Sequence, residues 1–267
     1  MPAARFRFYA ELNDFLPPEN RGGPLERRFE VSGSVKDWIE SFGVPHTEVE
    51  LVLANGEPVE FSYQVSDGDA ISVYPVFESF DLSPVPRVRP EPLRDLKFVL
   101  DVHLGRLAAY MRMAGFDAAY SNNASDPELA EIVSNHRRVL LTRDRYLLMR
   151  SRVDRGYWVR SMEPKQQLVE VLHRFQLTGC MHPFTRCLCC NGELLPVSRE
   201  DVRDHLPERV RERQQFRRCA TCGQVYWEGT HHARMQKLLE WAVRQAGSLA
   251  KRHLGSGHDL SRAEGHE

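Results

Sequence analysis

The stretch LKFVLDVHLGRLAAYMRMAGFDAAY, Leu96–Tyr120, contains a short apolar run, a helix-like period and a second extended run. Residues 97–100 have the apolar character of a buried strand, which ends at Asp101. Apolar side chains then recur at helical spacing, at Leu104, Leu107, Ala108 and Met111. Gly115 ends this predicted helix, and an extended segment follows. A strand, a helix and another extended segment in this order are typical of a parallel α/β sheet.

The same alternation continues through residues 96–178. SDPELAEIVSNH is predicted to be a helix with Asp126 at the N-cap and Pro127 in the first turn. It is followed by the strand RVLLT, the short helix RYLLMRS, the strand GYWVR and a helix opened by Pro164. We therefore predict a parallel sheet with helices on both faces.

The first 80 residues have a different pattern. Two extended segments, RFRFYAEL and RRFEVSG, precede a short helix with Ser34 as its N-cap and Gly43 as its stop. Asn55-Gly56 between two extended runs indicates a tight hairpin turn, and SDGDAISVYPV supplies a last strand. This order predicts a β-grasp, or ubiquitin-like, domain. Residues 81–95 are rich in proline and are predicted to be a linker.

Charge is distributed unevenly along the chain. The net charge of the whole chain is −1, but residues 1–80 hold 6 basic and 14 acidic side chains, whereas residues 81–267 hold 30 and 23. Any nucleic acid is therefore expected to meet the second part. The N-terminus lacks the apolar core of a signal peptide, and no run of about 18 apolar residues indicates a membrane span. We expect a cytoplasmic protein without a membrane partner.

Three aspartates follow or adjoin the predicted strands of the central sheet: Asp101, Asp126 and Asp144. Reactive groups of parallel sheets collect at the carboxyl ends of the strands, so these carboxylates are expected to converge. Converging carboxylates repel unless a cation neutralises them, and Mg²⁺ or Mn²⁺ accept oxygen ligands. Because such ions activate water in phosphodiester cleavage, this cluster indicates a nuclease.

Each of these signals also has a structural interpretation. Asp126 could be only an N-cap, Asp144 a turn residue or a cap for RYLL, and Asp101 a residue that ends a strand. Arginines are dense nearby, which suits either a phosphate-facing rim or a solvated face. Our candidate phosphate contacts are Arg106, Arg143 and Arg145, whereas the side chain of Arg112 is expected to point away from the apolar face of its helix.

All six cysteines lie between Cys180 and Cys222, a clustering that favours a metal site over disulfides. They include two C-x-x-C pairs, Cys187 with Cys190 and Cys219 with Cys222, which predict a structural four-thiolate zinc site. Cys189 could compete in principle. A closed site of this kind has no open position for water, so this zinc should hold structure.

The predicted zinc ribbon occupies residues 179–242. The 28 residues between the two pairs exceed the usual spacing of about 15–20, so SREDVRDHLPERVRERQQFRR is interpreted as a helical insertion. Tyr226 and Trp227 most simply cover the ribbon, while His231 and His232 are either surface residues or substrate contacts. Residues 243–267 are polar and contain glycines, and are predicted to be a disordered tail.

These segments carry a resemblance to a known family. VLDVHLGRLAAYMRMAGFDAAY, SDPELAEI, RVLLTRDRYLL, RCLCCNGEL and CGQVYWEGTHHARM, in that order, resemble the Mut-seven C-terminal RNase domain, a PIN-like nuclease domain with a zinc ribbon. TEVELVLANGEPVEFSYQVSDGDAISVYPVFESFD resembles the ubiquitin-like domain, related to sulfur carriers, that precedes it in bacterial members. Together the similar segments span roughly residues 5–240.

The resemblance implies a metal-dependent ribonuclease whose acidic residues match Asp101, Asp126 and Asp144, with zinc ligands at the four paired cysteines. A PIN site commonly uses four acidic positions, and here the fourth is Glu128 or Asp154. Sulfur carriers need an exposed C-terminal Gly-Gly, but VYPVFESFD runs directly into the linker. We therefore expect the acidic β-grasp domain to bind a protein partner or to cover the basic nuclease face.

The leading hypothesis is an RNA endonuclease that uses these aspartates with Mg²⁺ or Mn²⁺. The alternative is a non-catalytic RNA- or ribosome-binding adaptor, in which the ribbon and the basic rim bind RNA and the carboxylates serve as caps. A sulfur-transfer accessory is a third interpretation, which would need a partner adenylating enzyme.

Overall fold

The structure, a computed structural model, describes residues 1–75, 88, 95–203, 206, 210 and 215–255, the last six by backbone alone. The predicted linker over 81–95, apart from Val88 and Asp95, and the tail residues 256–267 lie outside the described residues. Contacts divide the chain into two units, Met1–His103 with Asn123–Trp158 and Leu104–Asn122 with Val159–Glu267.

The first unit begins with a five-stranded sheet in the order β2-β1-β5-β3-β4. Its elements are β1 (Ala3–Phe8), β2 (Leu25–Arg28), α1 (Val35–Ser41), β3 (Val49–Ala54), β4 (Glu57–Val59) and β5 (Ala70–Pro75). β1 pairs with β2 antiparallel and with β5 parallel, which is the predicted β-grasp order. The second strand lies earlier than the segment RRFEVSG indicated. Its last residue is Arg28, which lies opposite Ala3, the first residue of β1.

Local signals of this domain are confirmed. The Ser34 side chain accepts a hydrogen bond from the amide of Asp37 and so caps α1. Asn55 and Gly56 both have positive φ, 53° and 89°, which is the conformation that a two-residue hairpin turn with right-handed twist requires. The core is fully buried and contains Phe6, Phe8, Ile39, Val52 and Ile71.

The first unit also holds three parallel strands of the central domain. They are β6 (Phe98–Leu100), β8 (Val139–Thr142) and β9 (Gly156–Trp158), and the helices beside them are α3 (Asp126–His136) and α4 (Arg145–Leu148). β8 lies between β6 and β9, with Leu100 opposite Leu141 and Leu141 opposite Tyr157. β6 and β8 are buried along their whole length, so they consist almost entirely of apolar residues.

The second unit contains the longest helix of the described residues and the cysteine-bearing sheet. Its elements are α2 (Gly105–Met113), β7 (Ala118–Tyr120), α5 (Pro164–Arg174), β10 (Leu194–Val197), α6 (Arg199–Val202), β11 (Phe216–Cys219), β12 (Val225–Trp227) and α7 (Thr230–Gly255). α5 packs against both α2 and α7. β10, β11 and β12 form an antiparallel sheet in that order.

Two sequence predictions differ from this fold. Residues 243–255, expected in a disordered tail, belong to α7, because Leu239, Ala242 and Ala246 are buried along one side of that helix. The predicted helical insertion is helical at Arg199–Val202, but residues 216–218 are part of β11. Within the residues that the structure describes, no helix combines the length and apolar character that crossing a membrane requires.

Candidate functional site

Asp101 lies where β6 ends, beside the end of the neighbouring parallel strand β8. Its backbone amide donates to the carbonyl of Leu141 at 3.1 Å, which continues the pairing of the two strands by one residue. The hydroxyl of Thr142 donates to Asp101 Oδ2 at 2.7 Å. Asp101 is only 5% exposed, and Thr142 is fully buried. A buried strand-end hydroxyl therefore orients a buried carboxylate.

Asp144 is joined to Asp101 through the same threonine. The amide of Asp144 donates to Thr142 Oγ1 at 2.9 Å, so this hydroxyl accepts from one aspartate residue and donates to the other. Asp144 Oδ1 accepts from the amides of Tyr146 and Leu147 at 2.8 and 3.4 Å, and thereby caps α4. The interpretation of Asp144 as a cap for RYLL is confirmed. Thr142 was not among our predicted site residues, and its position as the last residue of a strand, two before Asp144, was the available signal.

Asp126 has a different environment. The N-cap of α3 is Ser125, so the prediction of Asp126 at that position is wrong. Glu128 Oε2 accepts from both the amide and the hydroxyl of Ser125 at 2.7 Å, which completes a capping box and leaves the first helical position to Asp126. Asp126 Oδ2 instead contacts Arg150 Nη2 at 3.1 Å, and both side chains are close to half exposed.

Each of the three carboxylates uses one oxygen in these contacts. Asp101 and Asp126 use Oδ2, and Asp144 uses Oδ1. Among the residues that the structure describes, the second oxygen of each has no hydrogen-bond partner. Thr142 links the Asp101 carboxylate to the backbone of Asp144, but no hydrogen bond within the described ranges joins Asp126 to either of them.

The two candidates for a fourth acidic position have other contacts. The hydrogen bond from the Ser125 amide lowers the pKa of Glu128, because it stabilises the ionised carboxylate, and the Ser125 hydroxyl adds to this effect. Asp154 Oδ2 accepts from Arg155 Nη1 at 2.6 Å. Both side chains have structural partners that account for their positions.

The three candidate arginines also differ in environment. Arg106 is exposed on α2 in the second unit, and Arg143 is half-buried, with its carbonyl accepting from Trp158 Nε1 at 3.2 Å. Arg145 lies over the Trp158 ring at 4.0 Å and over the Phe15 ring at 5.1 Å. It also donates to the Phe15 carbonyl at 3.1 Å. Arg145 therefore attaches the β-grasp domain to the central sheet by cation–π contacts.

Further contacts within the first unit hold the β-grasp domain against the same strands. The buried carboxylate of Glu48 accepts from the amide of Trp158 at 2.6 Å. The ring of His46 lies between Glu40 Oε1, at 2.6 Å, and the carbonyl of Val153, at 2.8 Å. The acidic domain thus contacts the arginine-containing segment that follows β8.

The four paired cysteines form a compact group in the second unit. Cys187 Sγ lies 3.6 Å from Cys222 Sγ, Cys190 Sγ lies 3.4 Å from Cys219 Sγ, and all four sulfurs lie within 4.8 Å of one another. Tetrahedral zinc with Zn–S bonds of about 2.3 Å needs sulfurs roughly 3.8 Å apart. In the described part of the chain, no other group of histidine, cysteine or acidic side chains is this compact, the three aspartates included.

Glycine allows the close approach of the two cysteine turns. A Cβ on Gly192 would lie 2.9 Å from Cys219 Sγ and 2.5 Å from Thr221 Oγ1, so a larger residue would push the turns apart. Amides of Thr221 and Cys222 point at Cys219 Sγ, at 3.4 and 3.5 Å. Cys189, which could have competed, is exposed and lies outside the group.

The pKa values of the grouped thiols are shifted in ways that favour binding of a cation. Burial acts to raise the pKa of Cys187, but hydrogen bonds from the Tyr226 hydroxyl and from backbone amides outweigh it and lower that pKa to about 6. At Cys222 a hydrogen bond from the amide of Gln224 acts to lower the pKa, but the neighbouring thiols raise it to about 12. Four thiolates this close cannot all ionise without a cation, which is the chemistry of a zinc site.

Arg112 supports this group from helix α2. It is 4% exposed, so the expectation that it points away from the buried side of its helix is wrong. Its Nη1 donates to the carbonyls of Leu188 and Cys189 at 3.0 and 2.9 Å, and its Nε donates to Ala118 at 2.8 Å. Burial lowers the pKa of Arg112, whereas the thiolates of Cys187, Cys190 and Cys189 act to raise it. The guanidinium therefore holds the first cysteine turn and offsets part of its negative charge.

We expect Arg112→Met to weaken zinc binding by about 10- to 100-fold, because two carbonyls of the cysteine turn lose their donor. Competition with a chromogenic zinc chelator measures the change. Arg106→Met is the control on the same helix, since Arg106 is exposed and should leave zinc affinity unaltered. Equal zinc affinity in the Arg112 variant and the wild type would show that the guanidinium does not support the cysteine group.

Comparisons with known families agree with this organisation. A family model described as the Mut7-C RNAse domain matches residues 96–239, and one described as Mut7-C ubiquitin matches residues 1–81. Searches of curated proteins and of solved structures found no match.

Proposed function

Because this chain belongs to the Mut7-C RNAse domain family, which supports a nuclease-like function with RNA as the substrate class, we propose that it is a metal-dependent endoribonuclease. In this proposal the catalytic residues are Asp101, Asp126 and Asp144, which together bind Mg²⁺ or Mn²⁺. The four-cysteine group binds zinc and has a structural role, since a closed thiolate site offers no position to substrate.

The environment of Asp101 is the observation that carries this proposal. The residue is only 5% exposed, and no basic side chain in the described ranges lies within ion-pair distance of its carboxylate. A buried carboxylate without a counter-charge is costly unless a cation accompanies it. The same Thr142 hydroxyl accepts from the backbone amide of a second acidic residue, Asp144, which supports a shared site. Two oxygen donors at one sheet edge suit a hard divalent cation.

The three carboxylates supply the hard oxygen donors that such a cation takes, and within the described residues Asp101 and Asp144 are linked through Thr142. Asp101 Oδ1, Asp144 Oδ2 and Asp126 Oδ1 have no hydrogen bond recorded among the described residues and would serve as ligands. The ion pair between Asp126 and Arg150 is exposed, and exposed pairs contribute only about 0.2–1 kcal/mol, so it can open. When bound, the ion would supply Lewis acidity and activate water for phosphodiester hydrolysis.

The remaining roles belong to neighbouring side chains. Thr142 positions the carboxylate of Asp101 and the backbone of Asp144. Arg106 and Arg143 are proposed to contact phosphate groups of the RNA. Arg145 was predicted to do the same, but its stacking on Trp158 and Phe15 favours a role in fixing the β-grasp domain.

Cleavage of RNA by the purified full chain tests the proposal. Single-stranded and structured RNAs are incubated in buffers without divalent ions and then with Mg²⁺ or Mn²⁺, and we expect internal cuts only after the ions are added. A circular RNA identifies an endonuclease, since it offers no ends. RNA that stays intact with both ions would contradict the proposal.

One observation favours a second candidate, a non-catalytic RNA-binding adaptor. Asp144 caps α4 and Asp126 pairs with Arg150, so both have structural roles of the kind that an adaptor would require. An adaptor would bind RNA with a steep salt dependence and would leave it intact with any divalent ion. The cleavage experiment therefore separates the two candidates.

We further propose that the N-terminal ubiquitin-like domain mediates protein contacts. Its contacts with the central strands through Glu48, His46 and Phe15 support a domain that is held in place. A protein partner would then meet surfaces of this domain that face away from β9.

A further inference from the structure

A cavity of about 400 Å³ lies in the second unit, beside the sheet of β10, β11 and β12. Four aromatic rings and two arginines line it: Phe184, Tyr226, Trp227, His232, Arg186 and Arg217. We infer that this cavity binds one unstacked base of single-stranded RNA, an inference that rests on the proposed RNA substrate. Cavities of roughly 300–1,000 Å³ are the size that proteins use for small ligands and cofactors.

The rings are positioned by contacts outside the cavity. The Tyr226 hydroxyl accepts from the amide of Leu188 at 3.1 Å and lies 3.2 Å from Cys187 Sγ, so the cysteine group fixes this ring. The centroids of the Phe184 and His232 rings are 4.1 Å apart. Trp227 is half-buried and packs against the small core under β11. Rings held in this way form a stacking platform, which accepts any base because every base has a π-face.

The backbone of Phe184 is a second, independent observation. Its φ is 60°, in the left-handed region that bulky residues rarely adopt. Its amide donates to the carbonyl of Met113 at 2.9 Å, so α2 and the segment after Pro183 hold the strained conformation. Strained residues cluster at ligand sites, and here the conformation belongs to a ring that lines the cavity.

The charges and polar edges of the cavity favour a nucleotide over an apolar peptide. Arg217 is exposed and has a weak contact with the Leu194 carbonyl at 3.4 Å, so its guanidinium is accessible to phosphate. Arg186 is held by the Asn191 carbonyl at 3.0 Å and by Asp117 at 3.9 Å. Glu228 and Gln236 add groups that can hydrogen-bond the edge of a base. Aromatic rings beside cations are the usual composition of a single-strand binding surface.

Binding of a fluorescein-labelled oligouridylate to the zinc-loaded full chain, without Mg²⁺ or Mn²⁺, tests this inference. Phe184→Leu and His232→Ala should each weaken binding by about tenfold, the loss typical of one stacked base. Arg217→Gln should weaken binding and reduce the salt slope by about one. Arg218→Gln is the matched control, because this neighbouring arginine on β11 does not line the cavity and should keep the wild-type slope. Unaltered zinc content shows that each variant is folded.

Photo-crosslinking with 5-iodouridine locates the base directly. Crosslinks to Phe184, Trp227 or His232 are expected. The inference is overturned if the Phe184 and His232 variants bind as tightly as the wild type, or if crosslinks form only elsewhere. If RNA crosslinks in the cavity but stays intact with divalent ions, the inference stands and the proposed nuclease activity fails. If RNA is cleaved with divalent ions but the cavity variants bind RNA as tightly as the wild type, the proposed nuclease activity stands and the inference about the cavity fails.

Discussion

Asp101→Asn is expected to lower the rate of metal-dependent RNA cleavage by about a hundredfold or more. The substitution removes the charge of the buried carboxylate but keeps an oxygen that can accept from Thr142, so the fold should persist. Metal ions supply several kcal/mol of transition-state stabilisation, and about 1.4 kcal/mol corresponds to a tenfold change in rate. Gel-based cleavage assays at saturating Mg²⁺ measure the effect.

Two further variants make this result interpretable. Asp144→Asn should cause a loss of similar size, because Asp144 is the other carboxylate residue held by Thr142. Asp37→Asn serves as the control, since Asp37 lies on α1 of the β-grasp domain, exposed and outside the proposed site. Cleavage at the wild-type rate in both Asp101→Asn and Asp144→Asn would refute the assignment of the aspartates as catalytic residues.

Cys190→Ser is expected to abolish stoichiometric zinc binding and to unfold the sheet of β10, β11 and β12. The binding free energy of structural zinc sites reaches about 10–16 kcal/mol in small zinc-binding peptides, and it is folding free energy. The cysteine group is itself part of the core here, because Cys187 and Cys219 pack with Leu194 and Tyr226. A core this small cannot replace the metal.

Zinc released per chain and hydrogen exchange of the ribbon amides report on this prediction. Cys189→Ser is the matched control, because Cys189 is adjacent to Cys190 but exposed and outside the group. It should retain one zinc ion and wild-type protection of the ribbon. Retention of zinc in the Cys190 variant, or its loss in the Cys189 variant, would show that the ligand set is different.

Several predictions that rest on neighbouring residues agree with the structure. The Ser34 cap and the Asn55-Gly56 turn of the β-grasp domain depend on side-chain chemistry within a few positions. The C-x-x-C spacing likewise needs only a local turn to bring two sulfurs together, and the identification of the four grouped cysteines followed from it. Where two local signals competed, as for Ser125 and Asp126, the spacing of Ser125 to Glu128 decided the cap.

The sequence by itself thus determined the order of the elements, the family and the identity of the grouped cysteines. Only the tertiary structure decided that Thr142 joins Asp101 to Asp144, that Arg112 is buried beneath the cysteine turn, and that Arg145 stacks on Trp158 and Phe15. These contacts join residues that are 41 positions apart for Asp101 and Thr142, 76 for Arg112 and Leu188, and 130 for Arg145 and Phe15. Turns and caps depend on adjacent residues, whereas such pairs depend on how whole strands and helices pack.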